Sequence, residues 1–315
     1  MSFEFLDPQI VSHARAIDEN MLDRDASIAE LRSRYSGLLA EQGRPNPAVT
    51  KRDISIPTRH GSIQARLYTP PTAARIPLLV YMHGGGFMVG DLDGLDVPLS
   101  NLSSSSGIAI LSLDYALAPE HPYPIALEQC GDAIGWASEH SASLGCSAEL
   151  GIGGDSAGGN MTALLALRCR DAGGPDIAWQ ALINPVLDFF GADQEKTASH
   201  RDFADGPILT REIMQMLNSG YFADDNARTA ASPMLQSDFA HLPPAFIAAA
   251  ECDPLRDDSV GYAEKLRAAG VPVELFVYPG MCHNFITLTH ISDVARAFIA
   301  DMAASARTNL KAAGA

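Results

Sequence analysis

The sequence predicts an α/β fold of the doubly wound kind: an eight-stranded, mostly parallel sheet with helices on both faces and a helical cap. Three observations predict it. Six short apolar runs are continuous rather than alternating, as in strands buried on both faces of a parallel sheet. Stretches of helical character lie between most of them, which is the alternation of βα units. One long interval, residues 188–235, breaks that alternation and carries a helix of its own.

Residues 1–45 read as helices, because Ile28, Leu31, Tyr35, Leu38 and Leu39 recur at helical spacing as one apolar stripe. GRPNPAV (43–49) breaks the period and reads as a linker. RDISIPT (52–58) and SIQARLYTP (62–70) alternate apolar and polar around RHG, the pattern of an antiparallel pair. The continuous runs follow: PLLVYMH (77–83), IAILSLDY (108–115), ELGIGG (149–154), WQALINP (179–185), AFIAAAE (245–251) and VELFVYP (273–279). Helical stretches between them include 124–140, 158–173 and 259–270, and SSSS (103–106) is expected to end another. The interval 188–235 is too long for a loop, and LTREIMQMLNSGYF (209–222) within it reads as a helix. The expected organisation is N-terminal cap helices over 1–45, a sheet domain over 46–187 and 236–315, and an inserted cap segment over 188–235.

The 315 residues are 47% hydrophobic and 19% charged, enough apolar material for a sizeable core. A net charge of −16 argues against nucleic acid or an anionic membrane as partner, since like charges repel. There are five cysteines, Cys130, Cys146, Cys169, Cys252 and Cys282. Their odd number and the absence of a C-x-x-C pair suggest neither a disulfide framework nor a zinc knuckle. No H-E-x-x-H or similar ligand spacing occurs, so zinc hydrolysis is unsupported and no metal is expected. MSFEFLDPQI has no basic start and no long apolar core, unlike a signal peptide. No apolar run approaches the roughly 18 residues of a membrane span, and a cytoplasmic protein is expected.

In GIGGDSAGGN (151–160), Gly154 to Gly158 form G-x-S-x-G between an expected strand and an expected helix. That context places a serine on a sharp strand-to-helix turn, where glycines on either side avoid collision. The helix dipole adds positive potential near the serine oxygen. Ser156 is therefore the candidate nucleophile. A serine attacking an acyl carbon creates an oxyanion, which needs backbone N–H donors. Ala157 can supply one. Gly84, Gly85 and Gly86, directly after His83 at the end of a strand, form an HGGG-type loop that can supply others. His83 is expected to hold that loop rather than act as base.

A hydroxyl nucleophile needs a base, and the base an orienting carboxylate. After Ser156 stand His200, His241, His283 and His290. His200 lies in the insertion, and His241 precedes a strand at the wrong end of the sheet. His290 is expected in the following helix. His283 follows a strand and lies at the right edge. For the acid, Asp253 is the first carboxylate past the run AFIAAAE; Glu251 is its competitor, and spacing favours Asp253. Asp257 and Asp258 are expected to begin the next helix, where acids suit the dipole.

The chain resembles the bacterial hormone-sensitive-lipase family of carboxylesterases, α/β-hydrolases with a helical cap. The resemblance rests on HGGGF (83–87), GD (90–91), LDYALAPEHPYP (113–124), GGDSAGGN (153–160), DPLRDD (253–258) and HNF (283–285). It implies Ser156, Asp253 and His283 as a triad and Gly85, Gly86 and Ala157 as oxyanion donors. His83, Gly84 and Asp155 support the motifs, and Asp155 places the chain in the subgroup with Asp before the nucleophile. The implied activity is hydrolysis of small-molecule esters of short to medium acyl length through an acyl-enzyme, without cofactor. Dimers are common in such families, so a homodimer is the assembly to test. The chain departs from the family pattern at Ala116, where Arg is usual, at Leu95-Asp96, where His-Asp is common, and at Asn284, where Gly is usual.

The alternatives are a non-catalytic binding protein on the same fold, as in the plant gibberellin receptor, and an amidase or peptidase using the same groups. A receptor has no need of a base at His283. Two further expectations concern the surroundings. Cys252 and Cys282 each precede a triad member and are expected to lie close together. Met214, Met216, Leu217, Tyr221 and Phe222 are expected to limit the room for an acyl chain.

Overall fold

The computed structural model describes residues 3–21, 26–72, 74–191 and 193–311. The chain begins with α1 (Val11–Met21) and α2 (Ile28–Leu39). α2 starts at a capping box: the Ser27 hydroxyl accepts from the Glu30 amide, and the Glu30 carboxylate accepts from the Ser27 amide. β1 (Thr50–Ile56) and β2 (Ile63–Thr69) follow as the expected antiparallel pair. Then come β3 (Ile76–Met82), α3 (Asp96–Ser106), β4 (Ala109–Asp114), α4 (Ile125–His140), β5 (Cys146–Asp155), α5 (Ala157–Ala172) and β6 (Trp179–Ile183). The long interval carries α6 (Ala198–Asp202), α7 (Arg211–Tyr221) and α8 (Asp225–Ala230). β7 (Ala245–Cys252), α9 (Arg256–Ala268), β8 (Val273–Cys282) and α10 (Asp293–Asn309) complete the chain.

The strands form one eight-stranded sheet in the order β1-β2-β4-β3-β5-β6-β7-β8. β1 and β2, and β2 and β4, pair antiparallel; every other pairing is parallel. Strand alternation sorts the core into two layers. Leu78, Val80 and Met82 join Leu127 and Ile134 of α4, Leu164 of α5 and Leu266 of α9. Leu79 and Tyr81 join Leu99 and Leu102 of α3 and Phe298 and Met302 of α10. β3 is buried along its whole length, which is why its sequence is a continuous apolar run. β8 pairs only with β7 and leaves much of its first half partly exposed, with Val277 at 44%.

One expectation fails. His290 lies in the turn before α10, not in a helix. The helix starts only after Ser292, whose hydroxyl accepts from the Ala295 amide as its N-cap. Ser106 ends α3, and Gly107 closes it with left-handed backbone (φ 74°). α6 and α8, five and six residues long, are too short to show a period in sequence. Cys252 and Cys282 are register partners across β7 and β8, so the expected proximity is present. Among the described residues no helix is long and apolar enough to cross a membrane.

Candidate active site

The parallel strands bring the carboxyl ends of β3, β5, β7 and β8 to one edge, and the candidate residues gather there. β5 runs into Ser156, and α5 begins one residue later. Ser156 has φ 53° and ψ −113°, a conformation that costs a side-chain-bearing residue about 1–3 kcal/mol. Its amide is held by the Ile183 carbonyl at 2.8 Å. Glycine at 158 is a steric necessity, because a Cβ there would overlap the Met82 carbonyl of β3.

The three glycines after His83 serve different needs. The Gly84 amide donates to Asp155 Oδ2 at 3.0 Å, and a Cβ on Gly84 would overlap that carboxylate. Gly85 has φ +116°, and its carbonyl accepts from the amides of Met88 and Val89, closing a tight turn. A Cβ on Gly86 would run into Leu217 of α7. Among the described residues the amides of Gly85, Gly86 and Ala157 have no acceptor within the protein.

His83 sits behind this loop. Its Nδ1 meets the Gly84 carbonyl at 2.7 Å, and its ring stacks on Tyr115 at 4.3 Å. The Tyr115 hydroxyl donates to the His83 carbonyl at 2.7 Å. Burial lowers the His83 pKa from its ordinary value, so the ring is neutral and braces the loop. Asp155 is also buried, and accepts from the Tyr81 hydroxyl at 3.0 Å. Burial pushes its carboxyl up to about 6, against hydrogen bonds and the nearby His283, which favour the charged form.

His283 directly follows β8. Its Nε2 lies 2.8 Å from Ser156 Oγ, and its Nδ1 lies 2.7 Å from Asp253 Oδ2. With Nδ1–H donating to the carboxylate, Nε2 is left to accept the serine proton. Asp253 is 1% exposed, and its Oδ1 accepts from the Leu255 amide at 2.9 Å. Glu251 points elsewhere: it is exposed, and its carboxylate accepts from the Gly280 amide. His200 is buried against Asp258 at 3.2 Å, and His241 sits in the turn before β7. Asp257 and Asp258 lie in the first turn of α9. Among the described residues no group of three or more His, Cys, Asp or Glu is arranged to hold a metal ion.

One largely apolar cavity opens onto Ser156, His283, Gly85 and Gly86. Its walls come from both helical segments: Ile28, Leu31 and Tyr35 from α2, and Ile213, Met216 and Leu217 from α7. The expectation that five side chains of α7 and its end fill acyl space is therefore only partly met. Met214 packs on Leu209 and Leu255. Tyr221 stacks on Phe87 at 3.9 Å, and Phe222 packs on Phe189 at 4.7 Å. Met214 and Tyr221, seven residues apart, share the helix face turned to the body of the protein. Sequence reasoning gave no role to the polar partners Tyr81, Tyr115 and Asn284: Tyr115 and Asn284 fall within the stretches LDYALAPEHPYP and HNF, and Tyr81 within an apolar strand run, so only the motif context, not their contacts, was visible.

A family model described as the alpha/beta hydrolase fold matches residues 79–287. The chain is 38% identical over 276 residues to the esterase LipI of Mycobacterium tuberculosis, covering 85% of this chain and 82% of that protein. It is 35% identical over 253 residues to an ethyl acetate hydrolase of Pseudomonas putida, covering 77% of this chain and 78% of the relative. Among solved structures, an esterase of Pyrobaculum calidifontis superposes with a TM-score of 0.88 at 33% identity, over 96% of this chain and 98% of that one.

Proposed function

For a chain that belongs to the alpha/beta hydrolase family, and within it to the carboxylesterases of the hormone-sensitive-lipase type, we propose that ester cleavage runs through an acyl-enzyme on Ser156. The observation that carries this is the unbroken run of contacts from Ser156 Oγ through His283 to Asp253, at 2.8 and 2.7 Å. His283 Nε2 takes the Ser156 proton as Oγ attacks the ester carbonyl carbon. The oxygen, now negative, is met by the N–H groups of Gly85, Gly86 and Ala157; removing one such donor typically costs about 2.7–4 kcal/mol of barrier. The C–O bond then breaks, and the alcohol leaves with the proton from His283. Water repeats the sequence on the acyl-enzyme, with His283 again taking the proton, and releases the acid. Asp253 holds the ring's tautomer and offsets its charge.

The proposed substrates are small-molecule esters with short to medium acyl chains. Leu217 over Gly86 and the apolar cavity support this, as does similarity to an ethyl acetate hydrolase. The proposal includes Asp155 as the subgroup marker, and residues 1–45 and 188–235 as the two parts of a cap. It also includes a cytoplasmic setting, supported by five free cysteines, and a homodimer, supported by the open edge of β8.

The test is covalent labelling with a fluorophosphonate followed by peptide mapping. One adduct on the peptide carrying Ser156, absent from Ser156→Ala, supports the assignment. An adduct on another serine of the active enzyme contradicts it.

A further inference from the structure

Three residues in consecutive turns of α2 reach both loops of the site. Arg32 donates from Nε to the Met88 carbonyl at 2.8 Å and from Nη2 to the Ala118 carbonyl at 2.9 Å, and it pairs with Glu120. The Ser36 hydroxyl donates to Asp91 Oδ2 at 2.8 Å. These contacts hold the oxyanion loop and the segment next to it. Next to them on the helix, Tyr35 lines the cavity shared with Ser156 and His283. Its hydroxyl accepts from Asn284 Nδ2 at 3.2 Å.

Asn284 directly follows His283 and is left-handed, with φ 65° and ψ 22°. Most L-residues resist that conformation; asparagine tolerates it without enforcing it. Its carbonyl accepts from the Thr287 amide and hydroxyl. The bond to Tyr35 anchors its side chain. Asn284 Oδ1 is already buried with no partner among the described residues. Loss of the Tyr35 bond would leave the half-buried Asn284 side chain with no protein partner at either end, which removes its anchor and lets the loop shift. The His283 ring hangs from the preceding Cα, so such movement changes the Ser156–His283 distance directly. Burial, and next the charge of Asp155, push the Tyr35 pKa up, so its hydroxyl stays neutral in this role.

We propose that Tyr35 is a positioning residue for the esterase reaction: through Asn284 it keeps His283 at hydrogen-bond distance from Ser156, on the same helix that holds the oxyanion loop. This rests on Ser156 and His283 being the reacting pair.

The test compares wild type, Tyr35→Phe, Asn284→Gly and the double variant on acetyl and hexanoyl nitrophenyl esters, with Ser156→Ala as control. Tyr35→Phe should lower kcat about fivefold, the factor carried by one hydrogen bond of ordinary net strength, equally for both esters and with KM nearly unchanged. Asn284→Gly keeps the left-handed backbone and cuts the same link from its other end, so it should lower kcat similarly. It also reads the link should Tyr35→Phe fail to fold. In the Asn284→Gly background, adding Tyr35→Phe should cost less than about a further twofold, because contacts in one link are not additive. An unchanged kcat in folded Tyr35→Phe overturns the inference while an inactive Ser156→Ala leaves the mechanism standing. A loss confined to KM or differing between the esters makes Tyr35 a substrate contact and also overturns it, as do losses that multiply in the double variant. Full turnover in Ser156→Ala overturns mechanism and inference together.

Discussion

The Gly84 amide and Asp155 Oδ2 are joined by a 3.0 Å hydrogen bond that ties the oxyanion loop to the residue before Ser156. The same carboxylate takes the Tyr81 hydroxyl on its other oxygen. A buried charge thus fixes the spacing between the two loops that must act on one substrate atom. Gly84 has no room for a side chain because this carboxylate occupies it.

That burial has a pH signature. The Asp155 carboxyl is pushed from 3.8 to about 6 in the folded protein. Between those values the folded state holds a proton that the unfolded state has released. Its contribution to stability is therefore full at low pH and is lost as pH rises through about 6. Two pKa units and a little more correspond to roughly 3 kcal/mol. Urea unfolding of wild type and Asp155→Asn from pH 4 to pH 7.5 isolates this group. The stability of wild type relative to the variant should fall by that order across the window; a pH-independent difference would refute the assignment.

Cys252 and Cys282 are register partners at the ends of β7 and β8, directly before Asp253 and His283. Both are buried, and burial, with the neighbouring Glu251 charge next, pushes the Cys252 thiol up to about 11. Few Cys252 thiolates are then present at neutral pH, and Cys282 is fully buried, so N-ethylmaleimide should react slowly with the native enzyme. Where it does react, a bulky group behind the catalytic loops should abolish turnover in step with modification, as counted by mass. A Cys252→Ala/Cys282→Ala variant should resist. Full activity with both thiols modified would sink this account.

Leu217 packs over Gly86 in the wall of the cavity. Leu217→Ala should shift the best substrate to longer acyl chains in kcat/KM measurements across acetyl, butyryl, octanoyl and palmitoyl esters below their micellar limits. Each methylene newly accommodated is worth about 0.8 kcal/mol, near fourfold. Wild type should gain nothing beyond medium length. Rising efficiency through palmitoyl in wild type, or an unchanged profile in the variant, would contradict the assignment of Leu217.

The parts of the site most legible in sequence are those forced by close backbone approach. Gly84 and Gly158 are glycines because Asp155 and Met82 leave no room, and such clustering shows in a single sequence. The order of Ser156, Asp253 and His283 was legible because each directly ends or follows a strand with a recognisable apolar run. What faces the cavity was not legible. Met216 and Leu217 line it while Met214 and Tyr221 do not, and that choice depends on how α7 seats against distant residues. Tyr35 reads as one more member of an apolar stripe, and only its 3.2 Å contact with Asn284, 249 residues away, separates it from the others. The end of the His283 loop depends on the Ser292 cap, so placing His290 in the following helix, seven residues past His283, starts that helix too early.

The central claim is that Ser156 carries the acyl group. Steady-state kcat/KM of Ser156→Ala on a butyryl ester, measured on protein shown to be folded by circular dichroism and thermal melting, tests it most directly. The mechanism predicts a loss of roughly a thousandfold or more, the scale of removing a triad member. A folded alanine variant with near wild-type turnover would contradict it.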